Sequence, residues 1–168
     1  MVTALSTTIP GGGGIKSLQQ TVQSLGATAV TDVTIAAVDV SKTEIEVCGW
    51  AGAPGWMVQL LNSTTLRFTG YTGAGYSQLS VQVRELASNV KSIQRGVVSP
   101  QAANTGNITI AGIDLAKGKW ALRLCGCYAN SGQGQGAAIW VANATTLSWS
   151  TSGLQYIGFS WELTEYIQ

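Results

Sequence analysis

The stretch Val33-Thr34-Ile35-Ala36-Ala37-Val38-Asp39-Val40-Ser41-Lys42 returns as Ile108-Thr109-Ile110-Ala111-Gly112-Ile113-Asp114-Leu115-Ala116-Lys117, an offset of 75. Five of the ten positions are identical and the other five are conservative. Working outward, Ile15-Lys16-Ser17-Leu18-Gln19 recurs at the same offset as Val90-Lys91-Ser92-Ile93-Gln94. Val47-Cys48-Gly49 matches Leu124-Cys125-Gly126 at an offset of 77, and Asn62–Phe68 matches Asn143–Trp149 at 81. A last match pairs Val81-Gln82-Val83-Arg84 with Phe159-Ser160-Trp161-Glu162 at 78. Matches that keep their order while the offset drifts point to preserved elements separated by loops of changing length. The sequence therefore reads as two diverged copies of one unit. The expected boundaries are an N-terminal arm over 1–14 ending in a glycine hinge, copy one over 15–88 and copy two over 89–168. No long linker parts the copies, so they are expected to touch.

Period-two alternation marks the elements as strands. Leu79, Val81 and Val83 alternate with Ser80, Gln82 and Arg84; Ile157, Phe159, Trp161 and Leu163 alternate with Gly158, Ser160, Glu162 and Thr164. Residues 30–38 and 107–113 are rich in β-branched side chains and read as strands. Glu44–Gly49 and Lys119–Cys127 alternate in the same way. Asn62-Ser63-Thr64-Thr65 and Asn143-Ala144-Thr145-Thr146 each sit between two apolar runs and predict hairpins, because Asn stabilises turns by bonding its own backbone. Asp39 and Asp114, each followed three residues on by Lys, read as Asx-type turns. Only Ile15–Leu25 has an argument for helix. Its counterpart carries Gly96 and Pro100, which favours strand or irregular structure. The expected fold class is all-β: two tandem, similar antiparallel β-sandwich units of about six strands each.

Composition narrows the functional classes. The chain of 168 residues is 45% hydrophobic and only 10% charged, with net charge +1, against a usual charged share of about 25%. So little charge favours association, which suggests that neighbours cover much of the surface. The nine Lys and Arg are scattered singly, so no basic stripe exists to neutralise phosphates and no nucleic-acid partner is expected. No run reaches the roughly 18 apolar residues of a membrane helix. No signal peptide is evident at the N-terminus, and a reducing compartment is expected. The three cysteines fit that expectation. Cys125 and Cys127 are two apart on an expected strand, about 7 Å at the backbone, beyond the span of a relaxed disulfide.

Chemistry is thinly supported. There is no histidine, which removes the usual general base and commonest metal ligand. Glu44 and Glu46 share a strand face as two glycosidase carboxylates would, yet copy two has Ala121 and Arg123 in their places; a solvated face is expected there. Cys125-Gly126-Cys127 is at most half a metal site. The glycine-rich stretches 11–14 and 132–136 lack the Lys-Ser/Thr of a phosphate loop. No catalytic residue, cofactor or metal is expected, and the chain reads as a non-enzyme. Asn62, Asn107 and Asn143 open N-x-S/T triplets that read as turns and strand edges. Tyr71, Tyr76, Tyr128 and Trp140, near expected loops, are the candidates for stacking on a glycan or anchoring a partner.

The opening Lys91-Ser92-Ile93-Gln94-Arg95-Gly96 with its echo at Ile15–Gln19, the block Val33–Lys42 with its counterpart Ile108–Lys117, the Asn-x-Thr-Thr hairpin and the terminal alternating strand follow in the same order in both copies. In this the chain resembles small β-rich proteins of bacteriophage and prophage structural modules. The resemblance covers nearly everything after Gly14. It implies a virion component, assembled in the bacterial cytoplasm and found near tail-fibre or baseplate genes, whose partners are other virion proteins and copies of itself. Capsid decoration and a carbohydrate-binding module that recognises a host surface glycan are the alternatives. Copy one departs at Gln19-Gln20-Thr21, where Gln-Arg-Gly is expected, so its first strand is expected to have a different neighbour.

Overall fold

The computed structural model describes residues 14–25, 30–51, 55–70, 77–101, 103–129, 136–151 and 157–167. They form twelve strands: β1 Ile15–Leu25, β2 Val30–Thr34, β3 Thr43–Ala51, β4 Trp56–Asn62, β5 Thr65–Gly70, β6 Ser77–Leu86, β7 Val90–Gln101, β8 Thr105–Thr109, β9 Trp120–Ala129, β10 Ala137–Asn143, β11 Thr146–Thr151 and β12 Ile157–Tyr166. The fold is all-β, and every described pairing is antiparallel. The helix considered for Ile15–Leu25 is a strand. The strands expected over 30–38 and 107–113 are shorter, since the chain leaves the ladder at Ile35 and Ile110. There the amides of Ile35 and Val38 donate to the carbonyls of Thr64 and Ser63, and those of Ile110 and Ile113 to Thr145 and Ala144.

Strand order is the same in both halves. β1-β6-β3 and β2-β5-β4 make up the first, β7-β12-β9 and β8-β11-β10 the second. Short 3-10 turns at Val40–Lys42 and Leu115–Lys117 are capped by Asp39 and Asp114: the Asp39 carboxylate accepts from the Ser41 amide, and that of Asp114 from the amides of Ala116 and Lys117. Asn62 and Asn143 accept from Thr64 and Thr145 amides at 2.9 Å in the two hairpins. Both features are the side-chain-to-backbone bonds that make Asx turns.

The terminal strand corrects the sequence alignment. Gln19 lies opposite Val83 and Gln94 opposite Leu163; Ser17 lies opposite Glu85 and Ser92 opposite Glu165. Structural equivalents thus stand 80 apart, not 78. Lys16 bonds Glu85 at 2.8 Å and Lys91 bonds Glu165 at 3.0 Å, and the same two carboxylates accept from the amides of Asp39 and Asp114. A slip of two residues keeps every apolar side chain on its own face, so hydrophobic alternation cannot detect it.

Rather than two sandwiches lying side by side, the halves share a sheet. Trp56 and Met57 of β4 pair with Cys127 and Gly126 of β9, giving a six-stranded sheet in the order β2-β5-β4-β9-β12-β7. Pro100 fits within β7 because that strand lies at the edge of this sheet. One core gathers Ile45, Val58, Leu66, Phe68, Val81 and Val83. The other gathers Leu147, Trp149, Phe159, Trp161 and Leu163, with Trp149 and Phe159 edge to face at 5.6 Å. The second half packs large on small: Trp161 lies over Gly96 and Trp149 over Gly106, each opposite across a strand pair. The equivalent pairs in the first half are Val81 with Thr21 and Phe68 with Thr31.

Candidate docking interface between the halves

The most heavily bonded polar region is the joint between the halves. β3 lies across the face of β12 and β9 that points away from the second core. Glu162, 2% exposed, accepts from Arg95 at 2.6 Å and from the Ile45 amide at 2.8 Å. Arg95 also donates to the Val40 carbonyl at 2.9 Å and to the Thr43 carbonyl. The Ser160 hydroxyl sits 2.8 Å from the Val58 carbonyl and 2.9 Å from that of Cys125. Backbone groups at the edge of the first half are therefore satisfied by side chains of the second, as burial requires.

A second set surrounds Glu44. Its carboxylate accepts from Arg123 at 2.7 Å and from the Tyr166 hydroxyl at 2.8 Å, with Arg84 at 3.4 Å. Glu44 is 2% exposed, which corrects the expectation of a solvated face for it. Glu46, by contrast, is partly open and pairs with Arg84 at 2.7 Å. Burial pushes the Glu44 carboxyl up, but hydrogen bonds from Tyr166, Thr164 and Arg123 outweigh it and hold the group below the ordinary carboxylate value. For Glu162 burial wins over the attraction of Arg95, and its carboxyl is raised. Burial also pushes the Cys125 thiol strongly up, so it behaves as an inert core group. Cys125 packs in the first core although it belongs to the second half. All three cysteines are free thiols, Cys48 being exposed.

These carboxylates are engaged with cations and backbone rather than facing an open cleft. One concavity of about 430 Å3 runs along Val97–Pro100, Thr105–Ile108 and Trp149, and the described residues that line it include no acidic, basic or thiol side chain. Among the described residues no cluster of three or more metal-ligating side chains occurs. No described helix is long and apolar enough to cross a membrane.

No family model matches the chain, and no curated protein or solved structure matches it. The geometry of its own residues therefore carries the functional argument.

Of the four aromatic candidates, Tyr71 and Tyr76 lie outside the described residues. Tyr128 is in β9, opposite Gly158, and its side chain is likewise outside them. Trp140, on β10, is 47% exposed. Sequence reasoning missed Arg95, Glu162, Ser160 and Glu44 as the contact residues. A signal existed for one of them: the Gln-Arg-Gly motif, absent from the first half, supplies Arg95 to the joint and Gly96 to the space under Trp161. The first strand does not change its in-plane neighbour, since β1 pairs with β6 as β7 pairs with β12. What differs is the cover on its outer face.

Proposed function

We propose that this chain is a structural component of a bacteriophage particle, a tail- or fibre-associated β module that docks subunits or attaches them to the host. The observation that carries the proposal is the joint itself. A strand edge of one half is received by a polar sheet face of the other, through side chains matched to backbone groups. Beside it, β4 adds to the β9 edge, the strand-to-edge contact by which sheets bind extended partners. The resemblance of both halves to phage structural modules supplies the setting. The buried carboxylates serve that joint, and a charge-poor body suits a protein whose surface is occupied by neighbours.

Antibody labelling of purified particles of the phage or prophage that encodes the chain tests the proposal. Label on the tail or fibre is the expected result. Label on the head instead moves the chain to capsid decoration. Intact particles that carry none of the chain, by label and by mass spectrometry, overturn the virion assignment.

A further inference from the structure

The joint is heterologous: the two halves contribute different surfaces. The first half offers the β4 edge and the β3 backbone around Ile45, and the second offers the β9 edge at Gly126, with which β4 pairs, and the outer face of β7-β12-β9, on which β3 lies. Because the halves repeat one strand order, each surface has a counterpart left over. The second half retains the β10 edge, which no described strand pairs beyond β11. The first half retains the β3 edge at Gly49, which no described strand pairs, and the part of the β1-β6-β3 outer face formed by Gln20, Val22, Ser80 and Gln82, beyond the Glu44 end that Arg123 and Tyr166 already hold. We infer that a second copy of this chain fills each of them, so that chains join head to tail with the β10 edge of one paired to the β3 edge of the next, beside its β1-β6-β3 face. The inference rests on the docking function proposed above and names its partner.

Several side chains fit this arrangement. At Gly126 a Cβ would stand 2.2 Å from the Trp56 carbonyl oxygen, so glycine is required by the arriving strand. Its counterpart Gly49 has nothing within 4 Å, leaving that approach open on the first half. Ser80 stands where Ser160 bonds the incoming carbonyl. Gln20 and Gln82, directly opposite one another, replace Arg95 and Glu162. A side-chain amide both donates and accepts. Two glutamines can therefore bond the same kinds of backbone group without burying an ion pair, whose desolvation is costly when chains must also separate in solution. The charges differ too: on the receiving face Glu46 stands in the place of Arg123, and the carboxylate of Glu44 is already engaged within the chain by Arg123 and Tyr166.

Apolar exposure points the same way. Val22, 45% exposed, and Trp140, 47% exposed, are among the few large hydrophobic side chains left open. Val22 lies on the receiving face beside Gln20. Trp140 lies on the arriving strand in the place of Gln59, which lines a cavity of about 110 Å3 with Arg95 and Gly96 at the internal joint. A contact of unlike surfaces that does not close on itself propagates as a ring or filament.

Sedimentation velocity on the full chain across a concentration range provides the test. The wild type is expected to gain mass with concentration. Gly49→Arg blocks the receiving face and Trp140→Lys the arriving strand; each is expected to weaken association by about 10- to 100-fold. Mixing the two variants restores one intact joint and yields dimers that grow no further. Val30→Lys, on the exposed β2 edge, leaves association unchanged, and circular dichroism checks that every variant keeps its strands. A monomer at the highest soluble concentration overturns the inference, as does assembly indifferent to both variants or a mixture that forms no dimer. Particle labelling that persists beside a monomeric chain removes the head-to-tail contact alone and leaves the virion assignment standing.

Discussion

β6 and β12 occupy the same place in the two halves and differ in what covers them. Both turn an apolar row to a core: Leu79, Val81 and Val83 in β6, Phe159, Trp161 and Leu163 in β12. On the other face of β6, Ser80, Gln82 and Arg84 remain half-buried, whereas Ser160, Glu162 and Thr164 of β12 are fully buried beneath the first half. An alternating polar row is thus no guarantee of a solvated face. It is equally compatible with a buried joint, provided each polar group finds a partner there.

The largest expected difference lies at the paired positions Glu162 and Gln82. Glu162→Ala leaves the half-buried Arg95 without its carboxylate and the buried Ile45 amide without its acceptor, and is expected to cost about 3–5 kcal/mol. Gln82→Ala, on the open face, stays within about 0.5 kcal/mol. Equilibrium denaturation of both variants checks this, and equal losses would mean that the joint contributes nothing special. Next come the two glycines. Gly126, at φ 98° and pressed by the Trp56 carbonyl, is expected to lose about 3 kcal/mol on substitution by Val. Gly49→Val leaves the melting temperature of the monomer nearly unchanged.

Within the cores, Gly96→Val drives a side chain into the Trp161 ring and is expected to cost about 1–3 kcal/mol. The equivalent change Thr21→Val is neutral or stabilising by roughly 1 kcal/mol, because the buried Thr21 hydroxyl has no hydrogen-bond partner among the described residues. Thermal melts should therefore show a lowered midpoint for Gly96→Val and no lowering for Thr21→Val.

The smallest effect is that of pH. Glu44, Glu85 and Glu165 are held below their ordinary value of 4.5. The stability they lend is complete above that value and is lost as pH falls through their depressed values. Glu162, raised, acts with the opposite sign: its share is lost as pH rises through its own higher value. Denaturation midpoints should fall below pH 4.5, and Glu44→Gln should flatten that fall.

Much of the fold could be read directly. Alternation gave the strands, Asn62 and Asn143 the hairpins, Asp39 and Asp114 the capped turns, because each is a local preference of backbone and side chain. The register of the last strand could not be read, since period two is blind to a two-residue slip. The joint was legible only in part, through Arg95 and Gly96.

The amino-acid sequence by itself determined an all-β chain whose two stretches repeat the same order of strands and turns, since hydrophobic period and turn chemistry act within a few residues. Which edge meets which face was decided only in three dimensions. Burial of Glu162 and Glu44 depends on groups more than a hundred positions away in the chain, Ile45 for one and Tyr166 for the other, and no local pattern records whether a polar row will meet water or a neighbouring strand.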